Sequence, residues 1–169
     1  MKIKTVASLY QLWIGCLLAI ISFSVFSETW IYRENTQINW REYNAAAFSE
    51  SVQKNKPLYI FIYSDECGWC RKFETETLEK QAVRKLLEDK FIPIAVDQLV
   101  QPDLARQLGI KLVPGNILLT PDRKKLLRFY GFVKEKELLD VLQKTLTLWK
   151  KGVIPENDFG DSSTCCPVN

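Results

Sequence analysis

Histidine is absent from all 169 residues of this chain, and methionine occurs once, at Met1. The first absence excludes Ser-His-Asp and Cys-His nucleophilic catalysis, histidine general bases and His-ligated zinc or copper. The second leaves a soft-metal site without thioether ligands. There is no run of five or six Lys/Arg, and the net charge is only +3, so nothing favours nucleic acid as a partner. Internal repeats are missing as well. Any chemistry must therefore come from cysteine, carboxylate, lysine or tyrosine. The composition, 47% hydrophobic and 25% charged, is that of one folded domain and too apolar for a disordered chain.

The first 27 residues stand apart. Lys2 and Lys4 precede an apolar stretch, residues 12–26, and Val25 and Ser27 are small enough to flank a cleavage after Ser27. This pattern is that of a secretory signal peptide. An uncleaved membrane anchor over residues 9–26 is the competing reading, since that stretch approaches spanning length. Either places residues 28–169 outside the cytoplasm, in a periplasmic or similar compartment. Cys16 follows Gly15 as a lipid-attachment cysteine would, but the apolar run continues past it, which favours a thiol within the segment.

Four more cysteines remain: Cys67, Cys70, Cys165 and Cys166. Outside the cytoplasm disulfides persist. The loop between Cys67 and Cys70 is too short to restrain much of the unfolded chain, which weakens a purely structural clip. A structural zinc needs about four ligands. Without histidine, only the adjacent Cys165 and Cys166 could complete it, with poor geometry. Haem attachment would need histidine where Arg71 stands. A Cu(I) site on the dithiol is a weaker possibility.

Element signals place the pair. Tyr43, Ala46, Ala47 and Val52 predict a helix over 42–54, and residues 28–41 are expected to hold a short strand. Residues 58–63, LYIFIY, predict a strand buried on both faces. A helix follows Cys67, with a break near Glu79. Residues 91–97 read as a strand, with Pro93 marking an edge position or an early bend. A short helix is expected over 102–109, stopped by Gly109, then strands over 116–120 and 126–132 joined as a hairpin. An amphipathic helix spans 134–151, with Leu138, Val141, Leu142, Thr145, Leu148 and Trp149 on one side. The sum is an α/β domain over 28–152, a mixed central sheet with helices on both faces, and a flexible tail over 153–169.

Cys67 then sits where a strand ends and a helix begins. Amide N–H groups and the helix dipole stabilise a thiolate there, lowering its pKa below the free value of about 8.5. Cys70, one turn on, is placed to attack a mixed disulfide at Cys67. Asp65 and Glu66 oppose the dipole, which argues against a strong oxidant.

The buried strand, the Cys-Gly-Trp-Cys at a helix start, Val113-Pro114-Gly115 before a later strand, and Gly131 together resemble the thioredoxin family. Residues 38–63 resemble thioredoxin-like proteins of bacterial envelopes. Residues 67–78 are similar, more closely, to the C-terminal domain of the membrane thiol:disulfide interchange reductase. The likeness covers about residues 38–150. It implies that Cys67 attacks, that Cys70 resolves, and that Pro114 is in cis beside Cys67 and helps Val113 hold substrate backbone. It also implies that Glu74 relays the proton of Cys70. Three positions depart from thioredoxin. Phe61 replaces a buried Asp, Glu66 replaces a Trp, and Gly68-Trp69 replaces Gly-Pro. The lost Asp moves the expected proton route to Glu74, and Trp69 becomes a candidate substrate contact.

These readings make the chain an exported thiol–disulfide oxidoreductase, a reductase or interchange protein acting on protein disulfides. It needs no metal or organic cofactor and would be recycled by a membrane-bound redox partner. The alternative is a non-enzymatic thioredoxin-fold module that holds peptide in the Val113-Pro114 groove. Cys165 and Cys166 could relay electrons, pair with each other or with another chain, or have no role. Trp30 and Trp40 read as packing residues.

Overall fold

In a computed structural model, the chain is described over residues 36–154, 158–160 and 166–167. The expectations for residues 1–27, Cys16, Trp30 and Cys165 lie outside the described residues.

The first helix, α1 (Ala45–Lys54), starts three residues later than its apolar spacing predicts. Asn44 is the reason: its backbone is extended and its side-chain oxygen accepts the Ala47 N–H at 3.1 Å, satisfying an amide that has no intrahelical partner. Strand β1 (Leu58–Tyr63) follows, with every residue buried. Helix α2 (Gly68–Phe73) carries the cysteine pair and runs into a π-helical turn (Glu74–Leu78), closed by the Glu79 N–H on the Glu74 carbonyl at 2.8 Å. The expected break falls after that turn, and α3 (Gln81–Lys90) resumes beyond it. Strand β2 (Ile92–Asp97), α4 (Pro102–Gln107), β3 (Leu112–Val113), β4 (Gly115–Leu119), β5 (Lys125–Tyr130) and α5 (Glu135–Lys150) complete the main body.

The main sheet has the order β2-β1-β4-β5, extended by β6 (Asp158–Gly160). Strands β1 and β2 are parallel; β1 with β4, and β4 with β5, are antiparallel. Helices lie on both faces of this mixed sheet. Pro93 sits on the outer strand, as its missing N–H requires. There Arg41 forms a single parallel bridge to Ile94, the only strand-like pairing in the described part of residues 28–41.

The tail differs from its expectation. Polar composition predicts a flexible segment, yet β6 pairs in parallel with β5, Phe159 opposite Phe129. Strand β7 (Cys166–Pro167) pairs antiparallel with β3, Val113 opposite Cys166. Pairing of this kind uses backbone amides and carbonyls, which a side-chain pattern does not report.

Aromatic rings fill the centre. Phe61 is fully buried, 5.8 Å from Trp40, 5.5 Å from Tyr63 and 5.9 Å from Phe73 between ring centroids. Trp40 thus packs, as expected. Arg41 grips Glu50 with two hydrogen bonds, Nε to Oε2 at 2.9 Å and Nη2 to Oε1 at 2.8 Å, which ties the bridge segment to α1. That grip, helped by Lys54, lowers the Glu50 carboxyl from 4.5 to about 2. A depressed carboxylate contributes stability that is whole above its unfolded pKa and is lost as pH falls to the folded one. Glu50→Gln is therefore expected to lower stability by about 1 kcal/mol at neutral pH. The gap from wild type should close between about pH 4.5 and 2 as the wild-type carboxyl protonates, read as guanidinium midpoints across that range.

Candidate active site

Strand β1 ends at Tyr63, and the chain turns before α2 begins. Ser64 organises the turn. Its hydroxyl accepts the Glu66 N–H at 3.2 Å and its carbonyl accepts the Cys67 N–H at 3.1 Å. Asp65 and Glu66 stay exposed. Cys67 is then the N-cap of α2, extended at φ −84° and ψ 106°, and its sulfur accepts the Cys70 N–H at 3.2 Å. An amide aimed at a sulfur stabilises negative charge on it. On its other side Cys67 Sγ lies 3.7 Å from the Val113 carbonyl oxygen. Cys67 is 2% exposed and Cys70 fully buried.

Val113 is the last residue of β3, and the Val113–Pro114 bond is cis. Two glycines fix this segment. A Cβ on Gly115 would fall 2.7 Å from an Ile110 methyl and 2.8 Å from the Leu112 carbonyl, so only glycine lets the chain turn so tightly into β4. Gly131, just past β5 with φ +79°, donates its N–H to the Pro114 carbonyl at 2.8 Å. The structure therefore brings Cys67, Cys70, Val113 and Pro114 together from residues 46 apart in sequence.

Glu74 stands one turn beyond Cys70 at the start of the π-helical turn and is 8% exposed. Its backbone N–H reaches the Cys70 carbonyl, so cysteine and carboxylate share one helical turn. Trp69 is half-buried, its ring 6.3 Å from Phe132, and Lys72 Nζ lies 5.1 Å from both ring centres. Sequence reasoning weighed the acidic residues before Cys67 and missed this cation behind it; the spacing of three residues between Trp69 and Lys72 was the available signal.

Beneath the site, the place of a buried carboxylate is filled by the Phe61 ring. Across the sheet from Phe61 stands Asn116, fully buried, accepting the Tyr59 hydroxyl at 2.6 Å on Oδ1. Burial pushes the Tyr59 phenol well above its usual range, keeping it a neutral donor. Asn116 Nδ2 has no hydrogen-bond partner among the described residues. Nothing in the run NILLT marks Asn116 as a core polar residue; its partner lies 57 residues away.

Among the described residues no group of histidine, cysteine or carboxylate side chains is arranged to hold a metal ion, and no helix is long and apolar enough to cross a membrane.

Comparison with known proteins bears on the family and the fold. A family model described as "Thioredox_DsbH: Protein of unknown function, DUF255" matches residues 26–153. "Uncharacterized protein B0495.5" of Caenorhabditis elegans is 31% identical over 96 residues, 52% of this chain and 13% of that protein. The chain thus spans about one eighth of that relative's length. Among solved structures, "DsbH Oxidoreductase" superposes with a TM-score of 0.60 at 19% identity, covering 72% of this chain and 94% of the other. A thioredoxin from Thermus thermophilus gives 0.60 at 22% identity, covering 66% and 88%. At these identities the likeness establishes the thioredoxin fold.

The π-helical turn that follows the cysteine helix is tied to the loop between β5 and α5 by Thr77, whose buried hydroxyl donates to the Val133 carbonyl at 2.6 Å. Thr77→Val keeps the shape but strands that carbonyl. It is expected to cost about 1–3 kcal/mol, measured by denaturant unfolding of the reduced protein.

Proposed function

The chain belongs to the Thioredox_DsbH family, and from that premise we propose that it is an exported thiol–disulfide oxidoreductase that reduces or interchanges protein disulfides. One observation carries the reading: the Cys67 sulfur, at the start of a helix, accepts the Cys70 N–H at 3.2 Å and faces the Val113 carbonyl before a cis-proline.

In the proposed mechanism Cys67 thiolate attacks one sulfur of a substrate disulfide. The other substrate sulfur leaves as a thiolate and takes a proton. Cys70 then gives up its proton and attacks Cys67, releasing the second substrate sulfur. The substrate gains two electrons and two protons, and Cys67–Cys70 is left oxidised. Glu74 accepts the proton of Cys70; its burial one turn away supports that role. Val113 and Pro114 hold substrate backbone, and Trp69 offers an apolar contact at the mouth. A dithiol donor must return the couple to its reduced form, and a membrane-bound partner is the proposed source. Export rests on residues 1–27, whether removed or kept as an anchor. The reducing direction is favoured by Asp65 and Glu66, exposed acids that oppose a very stable thiolate.

The test uses the chain with Cys165→Ser and Cys166→Ser, and insulin as the probe disulfide. Cys67→Ser is expected to reduce turnover to the uncatalysed rate. Cys70→Ser should accumulate a mixed disulfide with the probe. Glu74→Gln should slow release from that intermediate by about 10²-fold while leaving its formation unchanged. A Cys67–Cys70 potential near about −270 mV supports a reductase, whereas one near about −120 mV reverses the direction of flow. Undiminished function in the double Cys67→Ser, Cys70→Ser variant would overturn the redox reading in favour of a peptide-holding module.

A further inference from the structure

Strand β7 gives the tail a place beside the nucleophile. Val113 is the shared neighbour. Its carbonyl oxygen lies 3.7 Å from Cys67 Sγ, and its register partner in β7 is Cys166. Facing residues in an antiparallel pair have Cα atoms about 4.5–5.5 Å apart, so Cys166 and Cys67 flank one and the same residue. Leu112 opposite Pro167 extends the pairing, and β7 is the strand partner of β3 among the described residues. The tail is also anchored just before it arrives. Gly160 pairs with Tyr130, and the next residue, Gly131, donates to the Pro114 carbonyl. Only five residues separate Gly160 from Cys166, a reach of at most about 20 Å. A tether of that length keeps the β7 backbone beside β3 at an effective concentration on the order of millimolar.

We propose that residues 166–167 are an internal substrate strand, and that Cys166 is a third redox cysteine that exchanges with the Cys67–Cys70 couple. The proposal rests on the reading of Cys67 and Cys70 as a dithiol couple and adds its first partner, a segment of the same chain. In the step, Cys166 loses its proton and its thiolate attacks Cys67 Sγ of the oxidised couple. The Cys67–Cys70 bond breaks, the Cys67–Cys166 bond forms, and Cys70 leaves as a thiolate that takes up a proton. One disulfide is exchanged for another, so no outside oxidant or reductant enters. The new bond closes β3 to an external peptide until Cys70 reverses the step or a donor thiol attacks.

The experiment is disulfide mapping on the full chain. Cys70→Ser is equilibrated with reduced and oxidised glutathione, quenched with an alkylating agent, cut with trypsin and read by mass spectrometry. Here Cys67 first takes glutathione from oxidised glutathione, and Cys166 displaces it. The expected product links the Cys67 and Cys166 peptides, at least tenfold more than in the same chain in urea. Cys165→Ser added to this background leaves the link; Cys166→Ser removes it at least tenfold. A link through Cys165 instead, or none above the urea level, overturns the proposal. Wild type in the same buffers tests the couple itself: a Cys67–Cys70 disulfide without any tail link sinks the tail proposal alone, and absence of both sinks the underlying reading. If Cys70→Ser does not fold, wild type still carries the test. The expected species has Cys70 alkylated and Cys67 joined to Cys166, and it disappears in Cys166→Ser.

Discussion

The helix that carries the cysteine pair begins on a sulfur. Where a helix N-cap is usually an oxygen of Ser, Asn or Asp, Cys67 supplies a thiol, and the Cys70 amide points at it. Everything nearby serves to keep that sulfur in place. The Ser64 turn sets its approach, the Val113 carbonyl bounds its other side, and Gly115 and Gly131 let the proline segment come close. Because the cap and the proposed nucleophile are one atom, whatever bonds to Cys67 also changes what caps α2.

The scaffold meets this demand from the centre of the sheet. Strand β1 is the second strand in the order, buried on both faces, and delivers the turn to one end of the sheet. Strand β4, its antiparallel neighbour, begins at Gly115 immediately after the cis-proline. Two adjacent strands thus carry the two halves of the site on opposite chain directions. Rings from Trp40 through Phe61 and Phe73 to Phe132 and Trp69 run as a continuous packed path from the bridge segment to the mouth of the site.

Much of this was legible in the residues, for reasons that differ by element. LYIFIY reads as a central strand because it is short, nearly all apolar and rich in aromatic and β-branched residues, as a strand buried on both faces is. Pro93 reads as an edge because it lacks a donor. Cys67 and Cys70 read as a pair because a spacing of three places them on one face of a helix, and Glu74 joined them only through the family resemblance. The π-helical turn, β3 and β7 were not legible. The first is one extra residue in a helical repeat, and the other two are two-residue strands made by backbone pairing across more than 50 residues. The Tyr59–Asn116 hydrogen bond was hidden for the same reason, since the two residues lie 57 apart and no local pattern pairs them.

The outer strands of the sheet have a feature in common. On β2, Arg41 donates to the Pro93 carbonyl and accepts from the Ala95 amide, at 2.9 and 3.1 Å, so the groups that flank Ile94 are occupied by a non-strand segment. On β5, the strand β6 takes the same role. An open sheet normally invites a second molecule to continue its ladder. Here the chain's own flanks stand where that molecule would add. The segments before α1 and after α5 therefore take up backbone groups that a second sheet would need, and they do so only while both stay attached.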